Sequence, residues 1–539
     1  MSDAEDMAVR PAGSCGRRST WRDAGTAVVL AAVFIAGSWW GYGRVAPAIL
    51  HPVTFDHWFE SDVPNVKVAM LDRWSGAHWR AGRHPLAPIT QYTPTFVLHR
   101  IAGVPEDASV GLVTALFGAM LGASLFVLLR VVGLRRVDAV LFTLLAGSSA
   151  ALVFWAGVPE LYLLTGLSLV PILALAAKAA RGGRVPLLAW IAAAALTLGF
   201  STNCWAVGLV ALLVFLPIRK AVPAGVASLL LVLVLWRVEK LFFPGLPPFL
   251  AAPHIGTAFL FTPLGGGPLA RLWSYLFHAM VIPAPDHAQG TYLTVQRIVP
   301  GTGGAMYRIA LAAWVLLLGG AVWAAFRGKA RRLSAFAGLA LLSQLVFYQA
   351  FGMETFLYSA ESVPLFLAFL APLALTRWRR LALVAAAVFV VAGGVNNVSR
   401  FRESADDIVE YYAKERAFTQ RIAALTDPDL PLVYGGRVAA AEGMVVAPAP
   451  PEGEPESVWY FRIFPDLDAD RKGWQVCCDH WSVELIESYR ARGAAYFVSS
   501  YSHGLEINAA MLEAFSRRYE LLERTPDWVI FALHPETGG

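Results

Sequence analysis

The residues best suited to chemistry lie just past the first apolar run, in FESD at 59–62, followed by VPNVKVAMLDRWSGAHWRAGRHPL. Glu60 and Asp62 can take up a proton, and Arg80, Arg83 and His84 follow a short way downstream, ahead of Pro85. A base beside groups that offset developing negative charge is the equipment of a transfer reaction on a phosphorylated substrate. Each residue also has a plainer reading. Val63, Val66, Met70 and Trp74 recur at helical spacing and Pro64 suits a first turn, so Asp62 stands where a carboxylate caps a helix. The basic side chains can meet lipid headgroups, or hold the phosphate of a lipid-linked substrate, a bidentate task for which Arg is suited.

Other turns repeat the theme. GVPELYLL carries Glu160 and Tyr162, METFLYSAES carries Glu354, Tyr358 and Glu361, and FSTN carries the neutral hydrogen-bonding Asn203. Acids near a membrane boundary can merely solvate a helix end. Acids in three separate turns on one face are less easily dismissed in that way.

Those turns need elements to position them. The chain of 539 residues is 57% hydrophobic and 15% charged, with a mean hydropathy of +0.53. Such a balance departs from soluble domains, and the repeated apolar runs are near the length that spans a bilayer. The net charge of +5 is no sign of a nucleic-acid partner, because Lys and Arg in such a chain serve topology. The 4 cysteines are too few for a disulfide framework. The first apolar run, through Trp39 and Trp40, lacks a clear cleavage site and reads as a retained helix.

Apolar segments fall at 24–43, 109–129, 139–157, 160–178, 185–201, 204–218, 222–236, 308–326, 333–351, 361–376 and 381–395, about eleven transmembrane helices. Every alternate connection is basic: Arg17, Arg18 and Arg22; Arg130, Arg135 and Arg136; Lys178, Arg181 and Arg184; Arg219 and Lys220; Arg327, Lys329, Arg331 and Arg332; Arg377, Arg379 and Arg380. The positive-inside rule makes these cytoplasmic, with the N-terminus inside and the C-terminus outside. The carboxylate-bearing turns and the long connections 44–108 and 237–307 then face outward.

Three regions follow: a cytoplasmic tail over 1–23, a transmembrane domain over 24–395, and a small extracytoplasmic α/β domain over 396–539. In the last, RESADDIVEYYAKERAFTQRIAAL and SVELIESYRARG read as helices, and LPLVYGG and AAYFVSS as strands. YELLERTPDWVIFALHP reads as two strands around a turn at Thr525, Pro526 and Asp527, and VAPAPPEGEPE as a loop. No GxGxxG accompanies the glycines of LPLVYGG, which argues against a nucleotide site. In CCDHW, at Cys477 to Trp481, adjacent side chains diverge rather than converge on a metal, so the cysteines read as structural.

The first-loop acids before an amphipathic helix, RHPL, and the PELY, STN and ETFLYS turns together resemble the GT-C superfamily. These are polytopic glycosyltransferases that use lipid-phosphate sugars, including the protein O-mannosyltransferase and aminoarabinose-transferase types. The likeness spans roughly 25–400. It implies a sugar moved from a polyprenyl-phosphate donor to a hydroxyl of a protein, lipid or glycan acceptor at the outward face; the compact loops, the Ala- and Arg-rich composition and the absence of organelle signals suit a bacterial cytoplasmic (inner) membrane. It implies Asp62 as catalytic base and Glu60 as the second acid, with the family's adjacent acid pair split here by Ser61. Some members bind a divalent metal, which Asp62 and Glu160 would hold. Arg80, Arg83 and His84 would then face the phosphate, with Glu160, Tyr162, Asn203, Glu354 and Tyr358 around the substrates. The rival reading is a non-enzymatic transporter of lipid-linked saccharide or a cell-envelope assembly protein. A transporter would carry ionisable residues deep within its spans, whereas here they cluster at the turns.

Overall fold

Helices form where the apolar runs predict them, and Gly, Pro and Ser set many of their ends. The computed structural model describes residues 17–435 except 52–53, 55–56, 250–260, 262–265, 289–291, 297, 299–302, 329 and 353, together with 459–461, 471–476, 482–500 and 509–533. First come α1 (Arg17–Ile49), α2 (Val63–Leu71), α3 (Ala87–Phe96), α4 (Glu106–Val132), α5 (Arg136–Gly147), α6 (Ala150–Trp155) and α7 (Tyr162–Ala180). Next are α8 (Leu187–Phe200), α9 (Thr202–Phe215), α10 (Ile218–Glu239) and α11 (Pro268–Trp273). A hairpin of β1 (Asp286–Ala288) and β2 (Tyr292–Thr294) precedes α12 (Ala305–Arg327), α13 (Arg331–Ala350), α14 (Ser359–Leu370) and α15 (Arg379–Leu425). Among the described residues 8 helical stretches are long and apolar enough to cross a membrane, and α8 and α9 are apolar but shorter. The chain is a multi-pass membrane protein.

The run expected as one span over 139–157 is two helices, α5 and α6. Ser149 caps α6 by accepting from the Leu152 N–H at 3.3 Å. The N–H groups of Ala150 and Ala151 donate to the carbonyls of Met280 and Ala279 at 2.9 and 2.8 Å. The Ser148 carbonyl accepts from Asn397 Nδ2 at 2.8 Å. A break within an apolar layer is tolerated because each freed backbone group finds a partner in the protein.

The boundary expected near 396 falls inside α15, a single helix of 47 residues. Asn396 and Asn397 are buried within it. Asn396 Nδ2 donates to the Ile282 carbonyl and Asn397 Nδ2 to that of Met280, each at 2.8 Å, while Asn397 Oδ1 accepts from the Ile282 N–H at 3.1 Å. Residues that look like a helix end instead satisfy the irregular 279–282 segment. Trp74 is a smaller departure. α2 stops at Leu71, where Asp72 turns extended (φ −126°, ψ 116°), and Trp74 lies exposed beyond it.

The basic connections meet one another. Asp23 accepts from Arg130 Nε at 3.0 Å and Arg136 Nε at 2.6 Å. Arg379 grips buried Asp138 through two bonds of 2.8 and 2.6 Å. Arg181 donates to the Val131 carbonyl and Arg332 to that of Val214, each at 2.8 Å. The acid-bearing turns meet at the opposite end.

Beyond α15 lie β3 (Leu432–Gly435), β4 (Trp459–Phe461), β5 (Arg471–Val476), α16 (Val483–Arg490), β6 (Tyr496–Ser500), α17 (Ala509–Ser516), β7 (Glu520–Arg524) and β8 (Trp528–Ala532). The strands form one mixed sheet in the order β4-β5-β3-β6-β8-β7, with β3 parallel to β5 and β6. Ile486, Leu512 and Phe515 cover one face against Val433, Phe497 and Phe531. Phe418 and Ile422, at the end of α15, cover the other against Leu432, Tyr434, Val498 and Ile530. Strands β3, β6, β7 and β8 and helix α16 sit where the sequence predicts them; β4, β5, α17 and the β1–β2 hairpin were not expected. VAPAPPEGEPE and CCDHW lie outside the described residues.

Candidate functional site

FESD is bent before it reaches α2. Phe59 and Glu60 have positive φ values of 50° and 60°, a region that non-glycine residues rarely enter. Phe59 is fully buried against Phe154, Trp155 and Phe356, with ring centroids 5.6, 6.2 and 5.0 Å away. Trp58 packs on Phe154 and Phe401. This aromatic packing holds the strained turn, a feature that clusters at functional loops.

The turn delivers Asp62 to the position before α2, yet its side chain makes no capping bond. A cap accepts from the N–H of the second or third helical residue; Pro64, the second, has none, and the Asp62 carboxylate does not take that of Asn65. The carboxylate turns instead to Arg80, with Oδ2 3.5 Å from Nε. Arg80 projects from the short 3₁₀ helix Gly76–Gly82, which Ser75 caps through the Ala77 N–H. On its other side Arg80 grips Glu160, with Nη1 donating to Oε1 at 3.3 Å and Nη2 to Oε2 at 3.0 Å. Glu160 also accepts from the backbone N–H groups of Asp62 at 2.9 Å and Leu161 at 3.0 Å. Gly157, just upstream, allows this turn to press on α1: a Cβ there would meet the Tyr42 nitrogen at 2.5 Å. One guanidinium therefore ties the first loop to the PELY turn.

Burial raises the Asp62 pKa, Arg80 opposes that rise, and Glu160 adds to it. Burial alone would depress Arg80, but Glu160 and Asp62 hold it more firmly protonated than usual. Glu160 is 4% exposed with both oxygens engaged, whereas the Asp62 side chain keeps 23% of its surface. Of the two acids, Asp62 is the more accessible. The same contacts bear on the expected metal pair. The Arg80 guanidinium stands between Asp62 and Glu160, so a shared dication does not fit this arrangement.

The RHPL segment divides into two roles. Arg83 lies over the Phe351 ring at 5.5 Å, and its Nη2 is buried with no hydrogen-bond partner among the described residues. Burial holds its pKa below the ordinary arginine value, and Tyr358, Arg80, Tyr162 and Asp62 are its electrostatic neighbours. His84 turns inward, its Nδ1 2.5 Å from the Phe200 carbonyl. Burial and then Arg80 push His84 down to about 3, so it is a neutral strut and carries no charge to offset a phosphate. Arg83 and Leu86 extend the strut: Thr202 N–H donates to the Arg83 carbonyl at 3.2 Å and Leu86 N–H to that of Gly199 at 2.8 Å.

The remaining expected residues fall into adjoining networks. Tyr358 stacks on Tyr348 at 4.9 Å and meets the Tyr162 ring edge-on at 5.3 Å. Asn203 Nδ2 donates to Tyr348 Oη at 2.9 Å and Glu361 Oε1 at 3.2 Å; Tyr348 itself donates to Glu361. Glu354 is buried, accepting from Thr294 Oγ1 at 2.5 Å and the Phe356 N–H at 3.2 Å. It thereby ties β2 to the turn before α14. Burial raises Glu354 from its ordinary 4.5 to about 7. Arg271, in α11, was not foreseen. It is buried, donates to the carbonyls of Tyr348 at 2.9 Å and Phe351 at 3.4 Å, and feels Glu354, Glu60 and Tyr358. A single Arg in PLARLW gave no sequence signal.

Arg80→Met leaves two carboxylates facing each other and should lower stability by about 3–5 kcal/mol, the scale for breaking a buried pair. The double substitution Arg80→Met with Glu160→Gln should recover part of that loss in thermal unfolding of the detergent-solubilised protein; equal losses would contradict the assignment. Glu354 has a folded pKa above its unfolded one, so its folded form binds the extra proton. It favours the fold below about 4.5 and loses that advantage as pH rises to about 7. Glu354→Gln should therefore flatten the fall in Tm across that window relative to the unaltered protein, and an unchanged difference profile would count against it.

No protein-family model and no curated protein matches the sequence. Solved structures do. The crystal structure of ArnT from Cupriavidus metallidurans bound to undecaprenyl phosphate overlays with a TM-score of 0.52 at 14% identity, covering 96% of this chain and 99% of that one. The apo form of the same protein gives 0.52 and 14%, covering 95% and 98%. The helices and terminal sheet described above thus share their overall fold with ArnT, at low sequence identity.

Proposed function

We propose that the protein transfers a sugar from a polyprenyl-phosphate donor to an acceptor hydroxyl, at the bundle end that gathers the acidic turns. The observation that carries this reading is Asp62: a partly accessible carboxylate with a raised pKa that does not cap its own helix, near Arg83, whose Nη2 has no partner among the described residues. The ArnT structure that shares the fold holds undecaprenyl phosphate, the lipid phosphate such a donor would release.

In the proposed reaction the acceptor oxygen attacks the anomeric carbon while the bond from that carbon to the phosphate oxygen breaks. The acceptor proton passes to Asp62, and the departing polyprenyl phosphate takes the bonding pair. Arg83 offsets the negative charge that grows on that phosphate, the kind of fixed electrostatic help that often dominates catalysis. Arg80 keeps Asp62 aimed rather than binding phosphate, because Glu160 and Asp62 already engage it. Glu60 is the second acid, and Tyr162, Tyr358 and Asn203 border the substrates. The alternating basic connections support an outward-facing site, and the compact loops and Ala- and Arg-rich composition suit a bacterial inner membrane. The acceptor is a protein, lipid or glycan hydroxyl.

Incubation of the purified protein with a panel of polyprenyl-phosphate sugars tests this. Asp62→Asn should lower turnover by at least about 100-fold, the lower range for losing a general base, while the protein still folds. Arg83→Ala should weaken donor binding. Full transfer by folded Asp62→Asn would sink the proposal. Binding without turnover in the unaltered protein would favour the transporter or assembly reading.

A further inference from the structure

A second cluster of chemically capable side chains lies on the first loop, upstream of the site just described. His57 comes from that loop, His287 from β1 and Asp407 from α15. The Nε2 atoms of both histidines lie 3.2 Å from the same oxygen, Asp407 Oδ2, and one donor atom from each residue falls within 4.8 Å of the others. From this convergence we propose that His57, His287 and Asp407 form a site for one divalent ion of the zinc class, which clamps the β1–β2 hairpin and the first loop onto α15.

The spacing fits a metal. Bonds of about 2.0–2.1 Å to nitrogen and oxygen in a tetrahedral shell place neighbouring donor atoms about 3.3 Å apart, close to both observed separations. The donor set fits zinc: two imidazoles and one carboxylate suit a borderline ion, whereas magnesium and calcium take shells of oxygen. The ligands are also held from behind. The Tyr411 ring, one helical turn beyond Asp407, stacks on His57 at 4.1 Å. The Leu293 N–H donates to the His57 carbonyl at 2.9 Å, and the His287 N–H to Asp286 Oδ1 at 2.8 Å. The stacked ring limits rotation of the His57 imidazole, and the two backbone bonds hold the segments that carry the histidines. An approach path exists as well, since the side chains of His287 and Asp407 are 40% and 35% exposed while His57 is 2% exposed. That open side leaves the fourth position to water.

The site matters because of where it acts. His57 lies just before the left-handed Phe59 and Glu60, so an ion there fixes one end of the loop that carries Asp62. The hairpin it clamps is the one that Thr294 ties to Glu354. The proposal is independent of which reaction the protein performs.

The test is metal binding to the full-length protein, purified without a polyhistidine tag and stripped with a chelator. Calorimetry with Zn²⁺ should give one ion per chain, and Co²⁺ should give the visible d–d absorption of a tetrahedral nitrogen–oxygen site. Asp407→Asn and His287→Gln should each weaken Zn²⁺ binding by about tenfold or more, and excess Mg²⁺ should not compete. Failure of the unaltered protein to bind Zn²⁺ stoichiometrically would overturn the proposal. So would binding that is unchanged in both variants, or a Co²⁺ spectrum of octahedral, water-like type.

Discussion

The Arg80 guanidinium between Asp62 and Glu160 is the contact on which the site depends. It joins three parts of the chain, the start of α2, the Gly76–Gly82 turn and the PELY turn. In a poorly solvated place two carboxylates repel strongly, and a cation that hydrogen-bonds one and pairs with the other makes their approach tolerable. The division of labour follows from how the bonds are shared. Glu160 is saturated by Arg80 and two backbone N–H groups and acts as the anchor. Asp62 gives up one edge to Arg80, keeps access to solvent and retains proton affinity.

Around this knot the protein spends its buried polar groups on holding irregular backbone. Asn396 and Asn397 satisfy the 279–282 segment, Glu354 takes hold of β2, and His84 braces the RHPL strut against Phe200. Each resolves the same problem: bent chain at membrane depth or close to it must find its hydrogen bonds within the protein. The opposite end is simpler. Asp23 pairs with Arg130 and Arg136 and Asp138 with Arg379, and those bonds stitch the helix ends together.

How much was legible in the sequence depended on the physical range of each signal. Apolar length and alternating basic connections are local properties, and they located the long helices and the end where the acidic turns meet. They could not locate the break between α5 and α6, because it is stabilised by Met280 and Asn397 from remote parts of the chain. Asn396 and Asn397 resemble a helix end locally but are buried partners within α15. Asp62 was recognisable as a helix start, while its freedom from capping required knowing that Arg80 comes alongside. Arg80, Arg83 and His84 read as equivalent bases in sequence, yet their partners make one a clamp, one an available cation and one a neutral brace. Arg271 and the His57–His287–Asp407 cluster had no signal, since their members are joined only by the fold.

The central claim is that Arg80 remains committed to holding Asp62 and Glu160 while Arg83 meets the lipid phosphate. A cryo-EM structure of the protein with undecaprenyl phosphate bound tests it most directly. Phosphate density is expected against the Arg83 guanidinium, within reach of Asp62, with Arg80 still bridging the two carboxylates. Phosphate seated away from Arg83, or bound by an Arg80 that has left Glu160, would contradict it.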